Sequence, residues 1–72
     1  MEQSQIDLID VTELAQKLRI SKRQVFRLNS QGRLPRPIHL GGSVRWYWPE
    51  CHAWIKAGAP NRKAWEVMKG GR

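Results

Sequence analysis

Val11, Leu14 and Leu18 recur at spacings of three and four, which places them in one apolar stripe over two helical turns. Ala15 beside the stripe leaves room for a neighbouring helix. Asp10 can cap the start, with Glu13 three residues on to close a capping box, and Ile9 and Leu14 then stand at the two ends of a hydrophobic staple. The signals repeat eleven residues later, where Ser21 and Gln24 form a second capping box and Ile20 and Val25 a second staple. The pattern predicts two helices joined by the short turn Arg19-Ile20-Ser21. Val25 and Leu28 mark the buried side of the second helix and Gly32 its left-handed end. Its opposite side is Lys22, Arg23, Phe26, Arg27 and Ser30.

After Gly32 the period changes. Pro35 and Pro37 forbid helix, and Ile38-His39-Leu40 and Val44-Arg45-Trp46 alternate around Gly41-Gly42-Ser43, which predicts a β-hairpin. A two-residue loop would pair Ile38 with Arg45. A loop over residues 41–43 would instead pair Leu40 with Val44 and Ile38 with Trp46, and it is the expected register because it gathers four apolar residues on one face and leaves His39 and Arg45 adjacent on the other. Helix resumes at Pro49, a favoured first helical residue, and stops at Gly58 and Pro60. Trp48 is expected to be extended, since it precedes a proline. Cys51, Trp54 and Ile55 form the inward stripe of the third helix, and Asn61 can cap a last short turn through Trp65 and Met68. The fold class is mainly α with a small β-hairpin: helix-turn-helix, two-stranded wing, third helix and a short C-terminal helix. A flexible N-terminal tail over residues 1–8, a domain over 9–58 and an extension over 59–72, partly helical or disordered, complete the expected organisation.

Charge sharpens this outline. The 72 residues carry a formal net charge of +7, and between Glu13 and Glu50 stand eight basic residues and no acid: Lys17, Arg19, Lys22, Arg23, Arg27, Arg33, Arg36 and Arg45. A one-signed field over a compact helical pair opposes folding by self-repulsion, so its use is a polyanion, above all nucleic acid. Arg23 and Arg27 stand four apart on the exposed side, where like charges destabilise an isolated helix by roughly 0.2–0.5 kcal/mol and phosphate would reverse the sign. The same charges could simply solvate one helix face. No apolar run approaches the roughly 20 residues of a membrane span, and no long helix pairs a basic with a bulky apolar face. A soluble, cytoplasmic protein is expected. The six acids are scattered, with Asp10 and Glu13 already used as caps, so no acid/base pair is evident. Cys51, His52 and His39 are too few for a zinc site, and Cys51 reads as a small core residue. No catalytic residue, metal or cofactor is expected.

Small Ala15 followed by Leu18, Ile20, Val25 and Leu28 across a three-residue turn is the helix-turn-helix spacing. With ELAQKLRIS, then RQVFRL, then GRLPRPIHLGGSVRW and an AWI helix, residues 9–58 resemble the winged helix-turn-helix of the excisionase and AlpA-type regulators, relatives of the MerR DNA-binding domain. Arg19 in place of the usual Gly and Pro49 in place of a small N-cap depart from that pattern. The resemblance implies a second helix in the major groove of double-stranded DNA and a hairpin wing on the backbone or adjacent minor groove. Carried onto this chain it puts Arg23 and Arg27 at base edges, where Arg can pair bidentately with guanine. Ser21 and Lys22 fall at phosphates, with Ser30 further along the same face, and His39, Ser43 and Arg45 belong to the wing. Phe26 falls either on a thymine methyl or beneath the wing, and Arg33 and Arg36 flank the helix–wing junction near phosphate. Two biological roles are open on this resemblance: an excisionase-like recombination directionality factor partnered by an integrase, or an AlpA-like transcriptional regulator acting with RNA polymerase. In both the protein is nucleoid-associated and works as a monomer or as monomers side by side on DNA. A different class, a protein-interaction adaptor, would use the tryptophan-rich C-terminal part as its surface.

Overall fold

The computed structural model describes residues 7–70. It contains β1 (Leu8–Ile9), α1 (Val11–Leu18), α2 (Lys22–Ser30), β2 (Ile38–Leu40), β3 (Ser43–Tyr47), α3 (Trp48–Lys56) and α4 (Arg62–Gly70). Together they form a winged helix-turn-helix, mainly helical, with a small antiparallel sheet ordered β1-β3-β2.

The first two predicted starts are formed, the first as a full capping box and the second by its Ser21 half alone. Asp10 is extended and accepts the Glu13 N–H at 2.9 Å, while the Glu13 carboxylate accepts the Asp10 N–H at 3.3 Å, a complete capping box. Ser21 accepts the Gln24 N–H at 3.1 Å, so α2 is capped by its serine. The ends share one device. At the close of α1 the Ile20 N–H reaches the Ala15 carbonyl and the Arg19 N–H that of Gln16; after α2, Arg33 reaches Leu28 and Gly32 reaches Asn29; after α3, Ala59 reaches Trp54 and Gly58 reaches Ile55. Each is the Schellman pattern, which turns the chain sharply through a left-handed residue. Gly32 (φ +69°) and Gly58 (φ +97°) take that conformation freely, but at α1 it falls to Arg19 (φ +62°).

The core gathers around β3. Trp46, Leu14, Val25 and Leu34 are fully enclosed, with Ile9, Ala15, Cys51, Trp54 and Trp65 joining them. Leu34 and Pro35 stand at the centre of the connector between α2 and β2, both fully buried, and neither belongs to any periodic pattern in the sequence. The Trp46 Nε1 meets no acceptor among the described residues, so this residue contributes area and shape alone.

Four expectations are corrected. The hairpin loop has two residues, pairing Ile38 with Arg45, His39 with Val44 and Leu40 with Ser43. Gly41 takes φ +61°, the demand of a primed hairpin turn at its first central position, whereas a three-residue loop would have put Ser43 in a left-handed conformation. Burial did not overrule the turn because Trp46 is paired by Ile9 of β1, not by Ile38. Leu8, expected in the tail, is therefore a strand residue; residues 1–6 lie outside those described. Trp48 is the first residue of α3, not extended, and its N–H is held by the Asp7 carbonyl at 2.8 Å, where β3 ends beside the start of β1. Ile55 is 39% exposed and leaves the α3 stripe to Cys51 and Trp54. The C-terminal helix forms where expected: Asn61 accepts the Ala64 N–H at 2.9 Å, α4 runs to Gly70, and Trp65 is buried.

A left-handed non-glycine residue is held against its preference, so Arg19→Gly should raise stability by about 1 kcal/mol, net of the greater freedom of glycine in the unfolded chain. Urea unfolding checks this: the midpoint should rise with an unchanged slope. A fall would mean that the Arg19 side chain contributes more than its strain removes.

Candidate nucleic-acid interface

The exposed side of α2 is built by subtraction. Val25 and Leu28 turn inward, and the residues at the remaining positions, Lys22, Arg23, Gln24, Phe26, Arg27 and Ser30, face solvent. Lys22 and Arg23 occupy the first turn, where the free backbone N–H groups and the positive end of the helix dipole add to their charge. Arg27 follows one turn after Arg23 on the same side. Phe26 stands among these cations 51% exposed and is not packed against the core. Ser30 is different, because its hydroxyl donates to the Arg27 carbonyl at 2.9 Å and its proton is engaged. The Ser21 hydroxyl, by contrast, uses a lone pair for the cap and keeps its proton available.

The wing residues separate onto two faces. With Ile38 opposite Arg45 and His39 opposite Val44, His39 and Arg45 lie on opposite sides of the hairpin, which corrects the expectation that they adjoin. Arg45 is half-buried and donates to the Val44 carbonyl at 2.9 Å, while His39 and Ser43 are exposed. Ile38 and Leu40 are on the side of Arg45 and are solvent-facing, Leu40 at 52%.

At the junction, Arg33 is exposed, but Arg36 is engaged with Glu66 of α4 through Nε (2.9 Å) and Nη2 (3.3 Å). The hydrogen bond from Arg36, and then its charge, hold the Glu66 carboxyl below the ordinary carboxylate range, and Arg36 is raised in turn. Several contacts escaped sequence reasoning altogether. Lys17 stands 4.7 Å over the Trp48 ring, a cation–π contact. Glu50 receives the Trp65 Nε1–H at 2.9 Å and the Lys69 ammonium, tying α3 to α4. Arg62 donates to the Leu34 carbonyl at 2.9 Å and to the Asn29 side chain at 2.7 Å. These partners are 15 to 33 residues apart, beyond any helical or strand period, so no local pattern signals them.

The exposed side of α2 is thus cationic, with no acidic residue on it. Over residues 7–58 the chain matches the model of the family described as Prophage CP4-57 regulatory protein (AlpA). The chain belongs to that family. Comparison with curated proteins gave no match, nor did comparison with solved structures.

AlpA is a prophage regulatory, DNA-binding family, and the match takes in α1, α2, the hairpin and α3 of this AlpA chain but not α4. No helix among the described residues is long and apolar enough to cross a membrane. Among the same residues no group of three or more His, Cys, Asp or Glu side chains converges. Cys51 lies in the core of the AlpA domain, and burial, followed by the adjacent Glu50 charge, pushes its thiol up to about 12.

The folded chain thus keeps Cys51 protonated where an unfolded thiol, near 9, would ionise. Its contribution to stability is complete below pH 9 and is lost as pH rises toward 12, because the unfolded state loses its proton first. The melting temperature of the wild type should therefore fall more steeply above pH 9 than that of Cys51→Ala. Parallel declines would mean that other groups set the alkaline limit. At pH 8 the native thiol should resist alkylation until denaturant is added.

Proposed function

We propose that this protein is a transcriptional regulator that binds double-stranded DNA sequence-specifically, with α2 in the major groove and the β2–β3 hairpin on the neighbouring backbone or minor groove. The observation that carries this reading is the exposed face of α2. Lys22, Arg23 and Arg27 stand there with no acidic residue among them, the first two in the opening turn of a capped helix and Arg27 one turn further on. A solvated surface gains nothing from excluding every acid over one face, whereas a phosphate-lined groove does.

Within this reading the roles divide by chemistry. Arg23 and Arg27 are long enough to reach base edges from the middle of the face, and each can form a bidentate pair with guanine O6 and N7. Phe26 between them is solvent-facing and available to a thymine methyl group. Lys22 and the Ser21 hydroxyl serve phosphates at the start of the helix, where the dipole favours an anion. Arg33 serves the backbone at the junction. On the wing, His39 and Ser43 are exposed, and Arg45 must release its bond to the Val44 carbonyl to reach DNA. Arg36 reaches a phosphate only by giving up Glu66, and Ser30, its proton engaged, is limited to accepting. RNA polymerase at a promoter is the further partner of a regulator, and single copies, or copies placed side by side, are the bound form.

Affinity for duplex DNA should fall steeply with salt, with a log–log slope of roughly −4 to −7 for about five to eight neutralised phosphates. A flat response would end the reading. On a site selected from random sequence, Arg23→Ala and Arg27→Ala should each weaken binding by about 1–3 kcal/mol and relax the preference, while Arg33→Ala should weaken all sequences alike. Equal losses on selected and random DNA from all three would show that α2 is not the reader.

A further inference from the structure

The connector between α2 and the wing, residues 31–37, is short and is held from outside. Its middle is anchored by the buried pair Leu34 and Pro35. Its first residues are bonded back to α2 through the backbone, and α4 adds a second hold, chiefly through one residue. The Arg62 backbone N–H donates to the Gly32 carbonyl at 2.8 Å, its Nε to the Leu34 carbonyl at 2.9 Å, and its Nη2 to the Asn29 Oδ1 at 2.7 Å and the Asn29 carbonyl at 3.4 Å. One side chain thereby grips the last turn of α2 and the first half of the connector together. The guanidinium also lies at the negative end of the α2 dipole, where a cation is favoured. Four residues further along α4, Glu66 holds the other half of the connector through Arg36. Trp65, buried and bonded to Glu50, locks α4 itself onto α3.

α4 lies beyond the residues that match the AlpA model, so the DNA-binding domain of the family is here supplemented by a brace on its central joint. We propose that Arg62 is a positioning residue for DNA recognition, setting the direction of the wing relative to α2 so that both engage one duplex without further ordering. This rests on the reading of α2 and the hairpin as two grips on DNA. Two grips on a rigid body bind with the second already placed, whereas a slack joint loses orientational freedom at the moment of binding. The planar, five-donor fork is what the geometry uses, and a lysine keeps the charge without the fork.

The test uses the full chain with two probes: a pool of random-sequence duplexes, and the duplex that the wild type selects from that pool. Binding is measured at a temperature where circular dichroism shows each variant folded. Arg62→Lys and Arg62→Gln should both lower the ratio of selected to pool affinity by about tenfold, with the salt slope on the pool unchanged. Lysine restoring the wild-type ratio while glutamine weakens both probes alike, with a slope reduced by about one, would make Arg62 a phosphate contact and overturn the proposal. Wild-type binding by both variants would overturn it too, leaving Arg62 with a role in stability alone. If neither variant folds, Asn29→Ala decides, since it removes the 2.7 Å acceptor without altering charge. A loss of about threefold in the ratio supports the proposal and an unchanged ratio refutes it. A wild type that binds neither probe in a salt-dependent way would instead remove the DNA reading itself.

Discussion

A chain of this length encloses so little volume that all its elements must share one small cluster of side chains, and the cluster closes on Trp46. β3 is the central strand of the sheet, and Trp46 stands on its inner face, paired with Ile9 of β1 and enclosed together with Leu14 of α1, Val25 of α2 and Leu34 of the connector. Everything that would face DNA is set by what turns toward this tryptophan. α2 presents its cations outward because Val25 and Leu28 turn inward, and the hairpin projects because its second strand is the one that fills the core.

The same economy governs charge. A net +7 on so small a body would be costly if spread evenly, and the fold sorts it. Glu66 takes Arg36, Glu50 takes Lys69, the Trp48 ring takes Lys17, and backbone carbonyls take Arg62. The cations of α2 have no such partner among the described residues. A bulk electrostatic excess is thereby converted into a local field on one helix, while Glu50 of α3 and Glu66 of α4 each offset a cation elsewhere.

Much of the fold was legible from local chemistry. Both N-caps, the three-residue turn, the glycine that ends α2 and the asparagine that starts α4 are interactions among residues within five positions of each other, and all are as the sequence pattern predicts. The hairpin was legible but its register was not, because apolar alternation weighed toward pairing Ile38 with Trp46. The turn preference of Gly41-Gly42 prevailed once β1 supplied Trp46 with a different neighbour. Of the candidate site, the exposure of Lys22, Arg23, Phe26 and Arg27 follows from helical period alone. The engagement of Arg36 and Ser30, and the separation of His39 from Arg45 onto two faces, do not.

By itself the sequence determined the helices, the caps of α1 and α2 and the cationic side of α2, since capping, period and charge act within a turn or two and survive in any packing. Only the tertiary structure decided which basic residues are free for a ligand and which hold the molecule together. Ion pairs and carbonyl contacts between residues some 30 positions apart depend on how elements cross, and that crossing is set by the shared core around Trp46. The brace of α4 on the connector is the clearest instance: Arg62 is one more basic residue in the chain, and becomes a joint only where three separate segments meet.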